Sequence, residues 1–301
     1  MTEKKPCDFD FSYDKLFERN YGIFTHEEQE KIKNAKIMLI GCGGMGGAMA
    51  IILARSGVEN FVLIDPDVYE PTNTNRQLCC FEDTCGRPKA VVTKEHLMKI
   101  NPGIKAETYE KEMSIEALDS LIKDDVDVLI GVADDFPFAI LSMRMAKKKG
   151  IPCVIGYPTG MLARITTILP DGPEAEEPFG IPKGLNYKTL HNIMFSKKYR
   201  QMFRGTLEYY KNEGEWTDEW FENFVTTDKY PFPQIAPVVL AAASLASLEV
   251  LKVITGKWEA VAAPKYWHIK PNYASIDEFD PPDIKRRFGS VILKIKEKFV
   301  G

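Results

Sequence analysis

The chain has 301 residues, 45% hydrophobic and 27% charged, with a formal net charge of −4; this is ample material for a sizeable core and excludes a disordered chain. The charge balance offers no broad basic field, which argues against general nucleic-acid binding and against anchoring to an anionic membrane. The opening residues Met1 to Asp8 lack the apolar run of a signal peptide, and the six cysteines (Cys7, Cys42, Cys79, Cys80, Cys85, Cys153) form no C-x-x-C pair, so a cytoplasmic location, reduced thiols and no structural zinc site are expected.

Residues 1–34 read as an N-terminal helical arm. The short apolar run Lys36 to Ile40 stops at glycines and is followed by Ala48 to Arg55 with helical character, ended by Gly57, which predicts a buried strand feeding a helix. A strand over Phe61 to Ile64, a helix around Lys89 to Ile100, an alternating segment Ile104 to Tyr109 and a helix around Ser114 to Lys123 come next. The strand Val126 to Val132, a helix from about Phe136 to Lys149 and the strand Ile151 to Ile155 complete the βα alternation. Such alternation predicts an α/β fold with a Rossmann-like, doubly wound, mainly parallel sheet, and a nucleotide-binding core over 35–170.

Ala163 to Leu169 is strand-like without a preceding helix, which suits an antiparallel extension at the sheet edge. Residues 171–235 change character, with Tyr199, Phe203, Tyr209, Tyr210, Trp216, Trp220 and Phe224 among charged residues. They read as a partly helical, aromatic-rich insertion covering the sheet's active end. Residues 236–301 hold a helix over Pro237 to Thr255 capped by Gly256, a strand around Lys265 to Ile269, and a tail. The apolar stretch Ala236 to Ile254 is interrupted by Ser244, Ser247, Glu249 and Lys252, so it is expected to be a buried or interface helix rather than a membrane span. The whole chain, 1–301, reads as one domain.

The candidate chemistry begins at Gly41-Cys-Gly-Gly-Met-Gly46. These glycines follow a strand and open a helix, where a backbone turns tightly and approaches phosphate at the helix N-terminus. Asp65 ends the next strand, 24 residues beyond Gly41, where an acid usually receives a ribose hydroxyl. Together they indicate an adenine nucleotide without separating NAD from ATP; the plainer alternative is a tight turn and a strand-end aspartate.

Asn73-Thr-Asn-Arg-Gln77 and Gly86-Arg-Pro-Lys89 discriminate. Arg76 and Lys89 would set two cations beside the phosphates, where charge develops during attack on an α-phosphate. A dehydrogenase has no use for this pair, although each residue alone would be an ordinary surface charge. Asp134, just beyond the strand Val126 to Val132, is suited to hold Mg²⁺ or to cap the following helix, and Asp135 competes for either role. Cys79, Cys80 and Cys85 lie between the two cations, which would lower a thiol pKa, while inert burial is the commoner outcome.

With Arg19-Asn-Tyr-Gly22, Glu28-Gln29 and Asp65-Pro-Asp67 added, these motifs resemble the ThiF/MoeB/HesA adenylyltransferases, relatives of the ubiquitin-activating enzymes. The resemblance covers about residues 15–170 and the helix Pro237 to Gly256. It implies that Gly43 and Gly44, with Gly41 and Gly46, line the pocket for ATP, that Asp65 binds the ribose, and that Asn73, Arg76 and Lys89 contact the phosphates. Asp67 and Gln77 complete the cofactor-binding set, and Asp134 is the implied metal ligand. It also implies a homodimer in which Arg19 reaches into the partner's ATP site.

The expected reaction is activation of a carboxylate as acyl-AMP, the carboxylate belonging to a ubiquitin-like or sulfur-carrier protein or to a peptide. A TcdA-like tRNA dehydratase is the alternative within the family, so tRNA is disfavoured without being excluded, and an NAD-dependent oxidoreductase is the alternative outside it. A non-catalytic nucleotide-binding subunit should lack the basic and metal residues. The zinc cysteine pairs of some members are missing, and no cysteine follows Cys153 to serve as a crossover-loop thiol.

Overall fold

The computed structural model describes residues 10–177, 183–202, 204–227 and 231–278. In chain order the elements are α1 (Tyr13–Leu16), α2 (His26–Asn34), β1 (Lys36–Ile40), α3 (Gly44–Arg55), β2 (Asn60–Ile64), α4 (Lys89–Ile100), β3 (Lys105–Tyr109), α5 (Ile115–Leu121), β4 (Val128–Gly131) and α6 (Phe136–Lys148). They continue with β5 (Cys153–Thr159), β6 (Leu162–Ile168), α7 (Tyr187–Phe195), α8 (Lys197–Met202), α9 (Arg204–Glu213), α10 (Asp218–Thr226), α11 (Ala236–Thr255), β7 (Lys265–Lys270) and β8 (Tyr273–Glu278).

The strands form one sheet in the order β3-β2-β1-β4-β5-β6-β7-β8. β3, β2, β1, β4 and β5 are parallel, and β6, β7 and β8 continue antiparallel. The parallel part is a doubly wound α/β sheet whose order reverses between β1 and β4, and ligands of such sheets bind at that switch point beyond the strand C-termini. The extension is longer than the sequence suggests. β6 lies inside the sheet because β7 and β8 follow it, and β8 has the polar wording Tyr-Ala-Ser-Ile-Asp-Glu, which carries no apolar signal.

Two apolar layers cover the sheet. On one face α3 and α11 pack over Ile37, Leu39, Val154, Ala163 and Ile165. On the other, α6 and α5 pack over Met38, Ile40, Leu129, Cys153, Ile155 and Ile168, and Ala175, Leu185 and Leu190 of the 171–235 segment join them. The segment therefore roofs the second face. α11 is apolar and long enough to cross a membrane, yet it lies against α3, β5 and β6. Its Glu249 is fully buried and accepts from Lys252 Nζ (2.7 Å), Val261 N (2.7 Å) and Trp267 Nε1 (2.7 Å). Gly256 ends it with φ +65°, the left-handed cap expected of glycine.

α3 begins at Gly44, one turn earlier than the apolar periodicity suggests. Glycine is a poor helix former, but a Cβ on Gly46 would sit 1.8 Å from the Gly41 carbonyl oxygen, so close packing of helix on turn requires it there. Gly41 has φ +94°, and a Cβ would meet the Ala133 backbone at 2.7 Å; the turn after β1 thus passes directly against the end of β4.

Candidate active site

The glycine turn opens onto a cavity of about 900 Å³, within the range of small-molecule sites. Gly41, Gly43 and Gly44 line it together with Asp65, Asp67, Arg76, Lys89 and Asp134. The structure thus brings residues from the ends of β1, β2 and β4, the loop after β2 and the start of α4 to one place. At this end the first backbone N–H groups of α3 have no helical partners, and Gly43, Gly44 and Met45 line the cavity, an arrangement that suits an anion.

Asp65 is buried and braces the turn. Its Oδ2 accepts from Cys42 N at 2.6 Å and its Oδ1 from Asp67 N at 2.9 Å. Burial pushes its pKa upward, opposed by the Lys89 ammonium. Lys89 is itself buried, and its Nζ donates to Asp67 Oδ2 at 2.9 Å. Burial pulls the Lys89 pKa down, but the carboxylates of Asp65, Asp67 and Asp134 outweigh it and hold the ammonium above its usual value. A permanently charged lysine inside the cavity wall is the result.

Arg76 is held on two sides. Its Nε donates to Gln234 Oε1 (2.6 Å), and its Nη1 to the Thr72 carbonyl (3.1 Å) and Asn75 Oδ1 (2.9 Å). Gln234, which sequence reasoning missed, also donates to the Pro158 carbonyl at 3.0 Å, and its own carbonyl accepts from Asn75 Nδ2 at 2.9 Å. One residue between α10 and α11 thereby joins the Arg76 loop to the β5–β6 hairpin, a long-range link that no local pattern announces.

The two acids after β4 divide their work. Asp135 caps α6, its Oδ1 accepting from Phe138 N at 3.1 Å, and its Oδ2 accepts from the Tyr187 hydroxyl at 2.6 Å. Asp134 is exposed in the cavity wall with its carboxylate free of the cap. The capping alternative for Asp134 is therefore taken by its neighbour.

Other expected site residues stand elsewhere. Gly46 is a packing glycine in the first turn of α3 and does not line the cavity. Asn73 closes its own turn, its Oδ1 accepting from Glu70 N at 3.1 Å. Gln77 is buried behind the glycine turn, its Nε2 lying 3.7 Å from where a Gly43 Cβ would be; its Oε1 has no hydrogen-bond partner. Arg19 is exposed on the turn Glu18–Gly22, outside the cavity of its own chain.

Inert burial, the commoner outcome for these thiols, agrees with the structure: burial raises Cys79 to about 11 and, with the hydrogen bond that Cys85 donates to Cys80, raises Cys85. Cys80 is buried, its thiol donating to the Glu70 carbonyl at 3.4 Å. At Cys79 desolvation outweighs the Lys99 ammonium. Cys7 lies outside the described residues.

The sheet extension and the 171–235 segment together supply the other end of the cavity. Arg164, Thr166, Tyr210, Phe224, Phe232 and Tyr266 line it. Arg164 was legible only as a lone charge in an otherwise apolar strand.

An open, mainly parallel sheet with a glycine turn, a strand-end acid and two cations at its switch point defines a Rossmann-like domain with a cation-lined cavity at that point. The chain belongs to the ThiF family, whose model matches residues 17–287. It is 30% identical over 163 residues to the SAMP-activating enzyme E1 of Haloferax volcanii, covering 52% of this chain and 60% of that one. It is 32% identical over 138 residues to the tRNA threonylcarbamoyladenosine dehydratase of Bacillus subtilis, covering 46% and 54%. The chain thus matches little more than half the length of these relatives. The crystal structure of E. coli MccB with AMPCPP and its peptide MccA superposes with a TM-score of 0.65 at 22% identity, covering 90% of this chain and 72% of that one; at that identity the likeness establishes the fold.

Proposed function

We propose that the protein is a cytoplasmic ATP-dependent adenylyltransferase that activates a substrate carboxylate as acyl-AMP with release of pyrophosphate. The observation that carries this reading is the convergence of Arg76 and Lys89 on the same cavity as the glycine turn and Asp65. An NAD-dependent oxidoreductase would use the turn and the acid but leave both cations idle. Family membership and a neighbour solved with an ATP analogue and a peptide support the same choice.

In this reading Asp65 receives the ribose and the N-terminus of α3 receives the phosphates. Arg76 and Lys89, fixed in advance by Gln234 and Asp67, stabilise charge that develops as the carboxylate oxygen attacks the α-phosphorus. A carboxylate is ionised at neutral pH, so no general base is needed and positioning carries the step. Asp134 fits Mg²⁺, because a single uncommitted carboxylate beside a triphosphate is how that ion is usually held; when bound it would neutralise phosphate charge. The substrate is a peptide or a ubiquitin-like carrier. A second reading, dehydration of a carboxylate on a modified tRNA, draws on the dehydratase relative and would use the same adenylation, although the net charge of −4 opposes a polyanion.

Calorimetry with Mg-ATP and with NAD tests the first choice, and exchange of labelled pyrophosphate into ATP with carboxylate peptides tests the reaction. ATP binding without NAD binding is expected. Tight NAD binding with no ATP binding would reverse the ranking.

A further inference from the structure

Arg164 lies in the middle of β6 with the rings of Tyr209, Tyr210 and Tyr266 around its guanidinium, at 5.5, 5.6 and 5.2 Å from Cζ to the ring centres. Its Nη2 donates to the Tyr209 hydroxyl at 2.8 Å, and its buried Nε has no acceptor. Among the described residues it belongs to no ion pair, whereas the charges around it are matched. Lys270 pairs with Glu213, Lys211 pairs with Asp218, and Asp277 binds His268 Nδ1 at 2.6 Å and the Ser275 hydroxyl at 2.8 Å. Ring faces attract a cation but offer no acceptor to its in-plane N–H groups. A half-buried guanidinium with most of its fork unmet is costly unless something else meets it.

The missing acceptor comes from the ligand side, since Arg164 lines the cavity. It is not placed to serve the nucleotide phosphates. Those belong at the N-terminus of α3 after β1, and β6 stands three strands from β1 in the order β1-β4-β5-β6, roughly 14 Å away at the usual strand spacing. That span is about four residues of extended chain, so with the reach of the Arg164 and acidic side chains it suits a group up to three residues from the reacting carboxylate.

We propose that Arg164 anchors a second carboxylate of the substrate, one that is not adenylated, and that the substrate is therefore an acidic peptide. The inference rests on the adenylation reading for which carboxylate reacts. A planar fork binds a carboxylate through two parallel hydrogen bonds. Tyr210, Phe224, Phe232 and Tyr266 line the same end and suit the methylene stem of an Asp or Glu side chain. A tail ending in two glycines presents no second carboxylate at its last two positions and would have to supply one further back.

The test uses the full chain and two matched pools of N-acetylated pentapeptides with free C-termini. One pool carries Asp or Glu at each of the three positions before the last, and the other carries Asn or Gln there. Affinities are measured by calorimetry with a non-hydrolysable ATP analogue present, for the unaltered protein, Arg164→Met and Arg164→Lys. The unaltered protein should bind the acidic pool on the order of tenfold or more tightly than the neutral one, the scale of a charge-assisted pair. Arg164→Met should bring that ratio near one. Arg164→Lys keeps the charge but loses the fork, so its ratio should fall between, and it decides the matter should the Met variant not fold.

Equal affinities in the unaltered protein, undetected binding included, overturn the assignment, as does an acidic preference that both substitutions leave intact. Weakened binding of the ATP analogue in the variants also overturns it, because Arg164 would then serve the phosphates. Failure of the adenylation reading shows separately, as no pyrophosphate exchange in a protein that still prefers the acidic pool.

Discussion

Gln234 is a positioning residue: it accepts the Arg76 Nε–H at 2.6 Å while donating to the Pro158 carbonyl. If Arg76 and Lys89 act on the developing charge as proposed, truncating either to alanine should lose roughly 2–4 kcal/mol of transition-state stabilisation in pyrophosphate exchange. Gln234→Ala leaves Arg76 present but loosened. It should lower kcat by about 1 kcal/mol with little change in the KM for ATP, and a pure KM effect would show that Gln234 contributes binding alone. Glu249 is a different case, a stability residue. Removing it strands Lys252, the Val261 N–H and the Trp267 indole N–H inside the core. Glu249→Ala should destabilise the protein by about 3–5 kcal/mol, read as a fall in the unfolding midpoint, and an unchanged midpoint would refute the buried-network account.

The β6–β7–β8 extension carries a pH dependence of its own. His268 is buried on β7, and burial holds its pKa below the ordinary 6.5 despite the hydrogen bond to Asp277. Below pH 6.5 the unfolded chain therefore takes up a proton that the folded chain resists, so stability falls as pH falls, by no more than about 1.4 kcal/mol per pH unit for one group. Asp277 is lowered by its hydrogen bond to His268; its contribution is present above 3.8 and is lost only as pH falls through the depressed value. Urea midpoints at pH 7.5 and 5.5 should differ in the unaltered protein, and the difference should shrink in His268→Gln. An equal drop in both proteins would mean that other groups set the acid sensitivity.

At the scale of the whole molecule, the N-terminal arm is tied to its own chain by polar contacts: the Tyr13 hydroxyl donates to the Gly57 carbonyl, and Asn20 and Gln29 both donate to the Ser56 carbonyl. Asn20 and Gln29 thus have a structural task, while Arg19 beside them points to no partner in the cavity of its own chain. Nearby, Ile23 and Trp258 are exposed apolar side chains, 59% and 40% accessible. Our expectation is a homodimer in which each ATP site borrows Arg19 from the other subunit, across an interface on the order of 2,000 Å² or more. Mixing Arg19→Ala with Lys89→Ala protein would then create heterodimers with one intact site. Exchange activity should rise well above either parent, toward half of the unaltered level per heterodimer. Heterodimers that form without regaining activity would sink the shared-site model.

Periodicity and punctuation in the sequence determine the parallel core: apolar runs stopped by Gly41 and by Asp65-Pro66 make β1 and β2, and 3.6-residue patterns make α4 and α6. They also expose Asp65, Arg76, Lys89 and Asp134, since residues that line a switch-point cavity stand at strand ends, in the following loops and at helix starts. Tertiary packing alone decides the rest. α3 starts among glycines because Gly46 must pass the Gly41 carbonyl, and β8 forms because β7 offers a ladder to a polar strand. Asp135 rather than Asp134 caps α6, and burial raises the Cys79 thiol instead of leaving it to be activated. Gln234 meets Arg76 and Arg164 meets three tyrosines across separations that local propensity cannot encode, because those contacts exist only once the insertion has closed over the sheet.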